Sequence, residues 1–245
     1  MMDATMNKKV EDALKLLRQA RATHGDALVY PCSFGAEGSV MIDLICRPGL
    51  GVPVLTLDTG RLPQPTYDVI EAVEKRYDIR IQIVMPDSEE VASMVREHGV
   101  NLFRKSVDLR KRCCEIRKVH PLMQALKDKE AWITGRRHEQ SKGRANLAQI
   151  ESDPVYGLKK YNPLLDWTWD DLWTYIREHD VPYNRLHDVH YHSIGCECCT
   201  RSITVGEDER AGRWWWENDD VAAECGLHVI SLKEVSGEIA DGEGI

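Results

Sequence analysis

Short apolar segments alternate with helical segments through the first half of this chain, and this alternation is the feature that most limits its possible folds. The strand-like segments cover residues 27–30, 53–57 and 79–85, and the helical periodicity that follows them begins at Val40, Tyr67 and Glu89. Repeated strand–helix units favour a parallel sheet with helices on both faces. We therefore predict an α/β fold built on a doubly wound, mostly parallel sheet.

Two loops in this pattern lie where such sheets bind ligands. Residues 33–39 form a loop of small residues between the first strand and its helix, and such a loop directs backbone N–H groups toward an anion. Asp58 and Thr59 follow the second strand at its C-terminal end, which is where open α/β sheets bind ligands. A Gly/Ser loop alone does not establish a phosphate site, so further motifs are needed.

Helices are also predicted in the second half of the chain. Residues 111–126 have helical periodicity, and Cys113 with Cys114 open this segment. A helix N-terminus lowers the pKa of a thiol and suits an anionic metal cluster. Thr168 and Asp171 have the spacing of a capping box, which predicts that another helix starts there.

Two cysteine pairs far apart in the sequence have the composition of one metal site. Cys113 and Cys114 are adjacent, whereas Cys196 and Cys199 have chelating spacing. Four thiolates hold zinc well, but adjacent cysteines converge poorly on one small ion. The irons of a cubane cluster sit at separate corners, and such clusters are held by four cysteines. We predict a 4Fe-4S cluster; zinc and two structural disulfides are the alternatives, and Cys198 could replace a neighbouring ligand.

The composition limits the class of protein. A chain of 245 residues with 42% hydrophobic residues is long enough for one sizeable α/β core and a short appended segment. We predict a nucleotide-binding domain with the cluster site over residues 1–205 and a mobile C-terminal segment over residues 206–245. No apolar run of about 18 residues and no signal peptide are present, so we expect a cytoplasmic protein. Eight cysteines in that compartment indicate metal or redox chemistry.

The charge distribution indicates a small anionic ligand. The net charge of −8 weighs against binding of nucleic acid or of an anionic membrane. Basic residues nevertheless cluster around the first cysteine pair and again over residues 136–144. Solvated helix faces explain a single charge run, but basic clusters beside four thiolates are better explained by a small polyanion.

The C-terminal segment carries two further motifs. Trp214, Trp215 and Trp216 form a run that serves either as a nucleobase platform or as an anchor for this segment, and we favour the anchor. Beyond it, Cys225 stands three residues before His228 in a stretch rich in Gly and Glu.

In its motifs and their order, the chain resembles the assimilatory sulfonucleotide reductases, which reduce adenylylsulfate (APS) or phosphoadenylylsulfate (PAPS). The resemblance spans nearly the whole chain, and the motifs that carry it are SFGAEGS, LDTGR, RCCEIRK, TGRRHEQSKGRA, GCECC, GEDERAGRWWWE and ECGLH. It implies an adenine nucleotide alpha hydrolase-like (PP-loop) fold. It further implies a 4Fe-4S cluster on Cys113, Cys114, Cys196 and Cys199, with Cys225 as the catalytic nucleophile.

The resemblance also implies roles for other residues. Lys118 is the catalytic cation that links cluster and substrate, and His228 joins the catalytic group. The sulfate and phosphate are expected near Arg144, Arg210, Arg213 and His228. The adenosine end is expected near Ser33, Phe34, Gly35, Leu57, Asp58 and Gly135.

The reaction that the resemblance implies is the reduction of APS to sulfite and AMP. A thiolate on Cys225 attacks the sulfate sulfur and forms an S-sulfocysteine, and a thioredoxin or a glutaredoxin-like protein then releases sulfite. In the family the cluster accompanies a preference for APS, so APS is the expected substrate. PAPS or dual specificity is the first alternative. A PP-loop ATP pyrophosphatase and a non-catalytic metal-binding module are more distant alternatives. The oligomeric state is left open, a homo-oligomer included, as are the roles of Cys32, Cys46 and Cys198.

Overall fold

The computed structural model of the chain describes residues 2–140 and 144–217. Its helices are α1 (Ala4–His24), α2 (Ala36–Cys46), α3 (Gln64–Tyr77), α4 (Ser88–His98), α5 (Val107–Cys114), α6 (His120–Leu126) and α7 (Trp169–Glu178). Its strands are β1 (Leu28–Pro31), β2 (Val54–Leu57), β3 (Gln82–Val84), β4 (Ala131–Ile133), β5 (Ile150–Ser152) and β6 (Lys159–Tyr161). A π-helical turn, Glu115–Val119, joins α5 to α6.

The strands of these ranges form one sheet in the order β3-β2-β1-β4-β6-β5. The pairs β1–β2, β2–β3, β1–β4 and β4–β6 are parallel, whereas β5 runs antiparallel to β6. The strand order reverses at β1, because β2 lies on one side of it and β4 on the other. The prediction of an α/β fold with a mostly parallel sheet is therefore confirmed.

Helices cover both faces of this sheet, which makes it doubly wound. Successive side chains of a strand point to opposite faces. Leu28 and Tyr30 of β1 accordingly pack into the large core that includes residues of α1, α2, α3 and α7. Val29 points the other way and packs with Leu122 and Leu126 of α6 in a smaller core.

Two helices that border the site begin earlier than the sequence periodicity indicates. α2 starts at Ala36 rather than Val40, because Gly35 already forms the cap and its carbonyl accepts from the backbone N–H of Ser39 at 3.0 Å. α3 starts at Gln64, with a proline in its first turn, where the missing N–H costs nothing. The small residues after β1 are thus partly helical.

The prediction that the first cysteine pair opens a helix is wrong. α5 begins at Val107, where Ser106 Oγ accepts from the backbone N–H of Leu109 at 3.2 Å. Cys113 and Cys114 are the last residues of this helix. The positive end of the α5 dipole therefore lies away from the thiols and cannot stabilise their thiolate forms.

A hairpin was not predicted from the sequence. β5 and β6 are joined by a turn in which Asp153 accepts from the backbone N–H of Val155 at 2.9 Å, and Gly157 has a φ of +68°. The Asp-Pro and Gly residues between two short segments are the signal that could have found it. The capping box of Thr168 and Asp171 is confirmed at the start of α7.

Among the described residues, no helix is both long and apolar enough to cross a membrane.

Candidate functional site

A cavity of about 230 Å³ opens at the C-terminal ends of β1, β2 and β4. Its lining includes Ser33 and Gly35 after β1, Leu57 at the end of β2, and Thr134 and Gly135 after β4. The reversal of strand order at β1 leaves a crevice at this edge of the sheet, which is where doubly wound folds bind ligands. Three segments that are remote in sequence therefore meet at one place.

The loop after β1 brings the N-terminus of α2 to the cavity. Phe34 is fully buried and has a φ of +57°, which is uncommon for a residue other than glycine. Its backbone N–H donates to the sulfur of Cys32 at 3.3 Å. Phe34 thus anchors the loop in the large core, while Ser33 and Gly35 line the cavity. A helix N-terminus held in this way suits an anionic ligand.

Positive side chains dominate the charged lining of the cavity. The lining cations are Lys118, Arg136, Arg144, Arg210 and Arg213, and the lining carboxylates are Glu37 and Glu209. Both carboxylates also bind the guanidinium of Arg137, so part of their charge is neutralised within the protein. The remaining field is positive and favours a small polyanion.

Arg137 itself is fully buried and binds three carboxylates. Its Nε donates to Glu37 at 2.9 Å, Nη1 to Glu139 at 3.0 Å and Nη2 to Glu209 at 2.9 Å. Burial alone would raise the pKa of Glu37, but Arg137 and Gln140 hold it below its ordinary value. Burial raises the pKa of Glu209 to about 7. Sequence reasoning missed this network, because its members are remote in sequence and only the fold brings them together.

The strap, which we define as residues 209–217, carries two arginines to the cavity. Glu209 binds Arg137 at the start of the strap. Arg210 and Arg213 line the cavity, and Arg213 Nη1 donates to the carbonyl of Ile194 at 3.3 Å. The guanidinium of Arg213 lies so close to Gly195 that a Cβ on this glycine would overlap it. Gly195 is therefore required for the observed position of Arg213.

The four predicted ligand cysteines meet in one buried cluster. Cys113 and Cys114 end α5, and Cys196 and Cys199 lie at either end of the short turn around Cys198. The four predicted ligands are each between 7% and 9% exposed, and they pack together. With Cys198 they line a second, smaller space of about 10 Å³, which we call the thiol site.

Lys118 lines both the cavity and the thiol site. It is 9% exposed and belongs to the π-helical turn between α5 and α6. Single π-helical turns occur frequently at functional sites. The residue that was predicted to link the two sites thus touches both.

The loop after β2 forms a further connection. The hydroxyl of Thr59 lies 3.2 Å from the sulfur of Cys196, and its carbonyl accepts from Arg117 Nη1 at 2.6 Å. Arg61 donates to the sulfur of Cys198 at 3.7 Å. The thiol site is therefore surrounded by hydrogen-bond donors and by positive charge, which stabilise thiolates.

The pKa values of Cys113, Cys198 and Cys199 are nevertheless shifted. Burial raises the pKa of Cys113, although Arg117 opposes this shift. The hydrogen bond between Cys198 and Cys199 lowers the pKa of Cys198, to about 6, and raises that of Cys199. Cys32, Cys46, Cys113, Cys196, Cys198 and Cys199 are free thiols.

Over residues 2–140 and 144–217, no three or more His, Cys, Asp or Glu side chains are arranged to hold a metal ion. Side chains that hold a single metal ion converge on one point, whereas each cysteine of a cubane cluster binds a different iron. The thiol site therefore still offers the donor set of a cluster.

Two predicted adenosine-site residues do not line the cavity, and two predicted catalytic residues lie outside the described part of the chain. Phe34 is buried beneath the loop, and Asp58 accepts from the backbone N–H of Gly60 at 2.8 Å and from the hydroxyl of Tyr67 at 2.9 Å. Both therefore support the shape of their loops. Cys225 and His228 lie beyond residue 217. The other predicted substrate-site residues, Ser33, Gly35, Leu57, Gly135, Arg144, Arg210 and Arg213, line the cavity.

Known proteins resemble this chain over most of its length. It is 47% identical to the adenosine 5'-phosphosulfate reductase of Allochromatium vinosum, over 91% of this chain and 87% of that protein. It is 46% identical to the protein of the same name from Burkholderia cepacia, over 96% of this chain and 93% of that one.

Solved structures extend the similarity to the fold. The phosphoadenylyl-sulfate (PAPS) reductase of Candida auris, solved as a phosphate complex, matches with a TM-score of 0.66 and 29% identity, over 83% of this chain and 98% of that one. The FMN adenylyltransferase of Candida glabrata matches at a TM-score of 0.58 but only 13% identity, over 95% of this chain and 81% of that one, and this likeness concerns the fold alone.

The model of the phosphoadenosine phosphosulfate reductase domain matches residues 27–202. These residues include the β1 loop, the arginine loop after β4 and all four cysteines of the predicted cluster. The chain belongs to the phosphoadenosine phosphosulfate reductase domain family.

Proposed function

We propose that this chain reduces APS to sulfite and AMP with electrons from a dithiol protein. The position of Lys118 carries this proposal, because it lines both the cation-rich cavity and the thiol site. Relatives that are 46–47% identical over most of the chain bear the name adenosine 5'-phosphosulfate reductase. A mixed anhydride of phosphate and sulfate is a small polyanion, and the charge of the cavity suits it.

In the first step of the proposed reaction, the thiolate of Cys225 attacks the sulfur of the sulfate group. A bond between the two sulfurs forms, the bond from the sulfate sulfur to the bridging oxygen breaks, and AMP leaves with that electron pair. Cys225 then carries a sulfonate. A thiolate of the reductant attacks the sulfur of Cys225 and expels sulfite, after which the second thiol of the reductant closes its disulfide and releases Cys225. The sulfate sulfur gains two electrons, and the dithiol loses two.

The cationic side chains of the cavity have a clear task in this reaction. A thiolate and a sulfated phosphate repel each other, so their approach requires compensating charge. Lys118, Arg144, Arg210 and Arg213 supply it, and we propose that His228 contributes from the motif that contains Cys225. Ser33, Gly35, Leu57 and Gly135 would contact the nucleotide at the strand ends, with Phe34 and Asp58 holding the loops that present it.

We further propose that the thiol site holds a 4Fe-4S cluster on Cys113, Cys114, Cys196 and Cys199. Four buried thiols in one space match the donor set of such clusters. Burial raises the pKa of Cys113, and a bound metal centre offsets this cost, because it favours the deprotonated ligand. A bound cluster would supply a compact charged centre at the thiol site, which Lys118 also lines. Zinc is the alternative occupant, and metal and sulfide analysis after anaerobic purification separates the two.

The substrate is proposed to be APS rather than PAPS, because the relatives that match most of the chain at 46–47% identity carry the APS name. The C. auris structure carries the PAPS name at 29% identity, so dual specificity is an outcome of the test. A thioredoxin or a glutaredoxin-like protein is the proposed reductant. We also propose a cytoplasmic location, where free thiols persist.

An assay of sulfite release tests the proposal. Wild-type protein and a Cys225→Ser variant are supplied with reduced thioredoxin and either APS or PAPS. We expect sulfite and AMP from APS with the wild type only, and much less product from PAPS. Activity that survives in Cys225→Ser would overturn the mechanism, and PAPS turnover above APS turnover would overturn the substrate. An ATP pyrophosphatase would instead release pyrophosphate from ATP, and a non-catalytic metal-binding module would release no sulfite.

A further inference from the structure

The end of the strap is fixed by a buried ion pair. Arg110 of α5 donates through Nε and Nη2 to the two carboxylate oxygens of Glu217, at 2.8 and 2.7 Å. The two side chains are only 1% and 3% exposed. Two parallel hydrogen bonds between planar groups define an orientation as well as a distance. The backbone at Glu217 is therefore held in one direction relative to α5.

This ion pair is part of the wall of the thiol site. Arg110 lies three and four residues before Cys113 and Cys114, so the three side chains share one face of α5. Arg110 lines the thiol site together with both cysteines. A displacement of the strap at Glu217 would thus act directly on the helix that carries two of the proposed cluster ligands.

Trp214 extends the contact from the ion pair to the cavity. The guanidinium of Arg110 lies 4.4 Å from the centre of the Trp214 ring, and that of Arg213 lies 4.9 Å from it. Trp214 is 1% exposed, so the attraction between cation and ring operates away from water. Arg213 lines the cavity. A continuous set of contacts therefore runs from α5 through Trp214 to an arginine of the proposed substrate site.

Stability alone does not explain a buried ion pair at this place. The free energy needed to remove two charges from water offsets much of the free energy gained from their attraction. Apolar residues of similar volume therefore often replace such a pair without loss of stability. What apolar residues do not reproduce is the fixed direction of a bidentate contact. The pair is thus better suited to defining a geometry than to stabilising the fold.

We propose that Arg110 and Glu217 are positioning residues that hold the strap, and with it Arg213, in register with α5. Arg213 is held in the same register through Trp214. The inference rests on the proposed function, because Arg213 lines the cavity in which the proposed substrate would bind. The pair acts through Arg213, without touching the substrate.

A single-turnover experiment on the anaerobically purified holoprotein tests this inference. The protein is mixed with saturating APS in the absence of reductant, and the sulfonate gained by Cys225 is followed by intact mass. For Glu217→Gln we expect the sulfonation rate to fall by about 10- to 100-fold, since small misplacements of a reacting group have effects of this size. AMP affinity, measured by calorimetry, should fall far less than the sulfonation rate, because the strand ends that are proposed to bind the nucleotide are untouched.

Two further variants keep the test independent of folding. Glu207→Gln removes an ion pair with Arg201 in the neighbouring segment, at 2.7 Å and with partly exposed side chains, and should sulfonate at the wild-type rate. The double variant Arg110→Met/Glu217→Leu replaces the buried pair by apolar residues, and should keep its thermal stability yet sulfonate slowly.

Wild-type sulfonation rates in the folded double variant would overturn the positioning role. So would failure of the double variant to fold, because the pair would then be an element of stability. An equal loss of AMP affinity and sulfonation rate in Glu217→Gln would overturn it as well. A wild-type protein that APS does not sulfonate refutes the proposed function itself, which distinguishes the two failures.

Discussion

The hydroxyl of Thr59 lies 3.2 Å from the sulfur of Cys196. Thr59 also lines the cavity at the strand ends, whereas Cys196 belongs to the thiol site. A single residue of the β2 loop therefore contacts both sites, and Lys118 does so from the side of the π-helical turn. Changes at the thiol site are accordingly expected to reach the cavity through Thr59 and Lys118, as well as along the chain from Cys196 to Gly195.

Replacement of Lys118 by alanine should reduce sulfite release from APS by about 10²-fold, because it removes a cation that is oriented before the charge of the leaving phosphate develops. The iron and sulfide content of the protein should change far less. Steady-state sulfite release and metal analysis on the same preparation check both parts. Lys111→Ala, which removes an exposed lysine of α5, is the matched control, and equal loss of activity and iron in Lys118→Ala would contradict the prediction.

Replacement of Cys196 by serine should remove most of the iron and sulfide, because a hydroxyl is a much poorer ligand than a thiolate for the cluster. Iron, zinc and sulfide are measured after anaerobic purification. Cys46→Ser serves as the control, since Cys46 lies at the end of α2 and packs at the edge of the large core. Zinc at wild-type stoichiometry in place of iron would show that the site is a zinc site.

Replacement of Gly195 by alanine should affect activity more than stability. The added Cβ would overlap the guanidinium of Arg213, which is the flexible end of a side chain and can move away. We expect the unfolding free energy to change by less than about 1 kcal/mol and sulfite release to fall by about tenfold or more, as a cavity cation is displaced. Thermal unfolding and initial rates are the two measurements.

Gly212→Ala gives the opposite pattern and serves as the comparison. There the added Cβ would overlap the backbone oxygen of Arg201. This backbone cannot move away without disturbing its pairing with the strap, in which the N–H of Arg201 donates to the carbonyl of Gly212 at 2.9 Å. Thermal stability should therefore fall markedly. If Gly195→Ala proved as unstable as Gly212→Ala, the distinction between the two glycines would be wrong.

The carboxyl of Glu209 should make stability depend on pH. Burial, with a contribution from Glu37 and Glu139 that Arg137 opposes, raises its pKa from 4.5 to about 7. The folded state then binds this proton more tightly than the unfolded state. The stabilisation is complete below about pH 4.5 and is lost as the pH rises through about 7. Glu209→Gln lacks this titration, so its unfolding free energy should decline less than that of the wild type over this range, by about 1–2 kcal/mol.

Denaturant unfolding at several pH values measures this difference. Glu207→Gln is the control, because the hydrogen bond with Arg201 lowers the pKa of Glu207 to about 2, and its contribution is already complete above about pH 4.5. The control should therefore follow the wild-type curve between pH 5 and 7. Parallel curves for the wild type and Glu209→Gln would contradict the raised pKa.

Much of the fold could be predicted because its signals are local. The periodicity of residues 27–46 reports that one strand and one helix bury apolar faces, and β1 and α2 form there. The first residues of α2 and α3 were harder to predict from the sequence. The Gly35 cap and the proline at the start of α3 allow both helices to begin earlier than their apolar periodicity indicates. The β5–β6 hairpin is too short for its pattern to stand out.

The candidate site divides in a similar way. The cysteines, Lys118 and the strap arginines carry chemistry in their side chains, and their motifs are visible in the sequence. The buried partners of those residues are not, since Glu37 and Glu209 are ordinary acidic residues until Arg137 lies between them. Their spacing along the sequence does not indicate that they contact Arg137.

The sequence by itself determined the α/β class, the set of chemically capable residues and the family, because each depends on residue type and on spacing along the chain. Only the tertiary structure decided that Lys118 touches two sites and that Arg110 binds Glu217. Those facts depend on distances between segments separated by many residues. Such distances are set by how the helices pack on the sheet, and the order of residues along the chain does not state them.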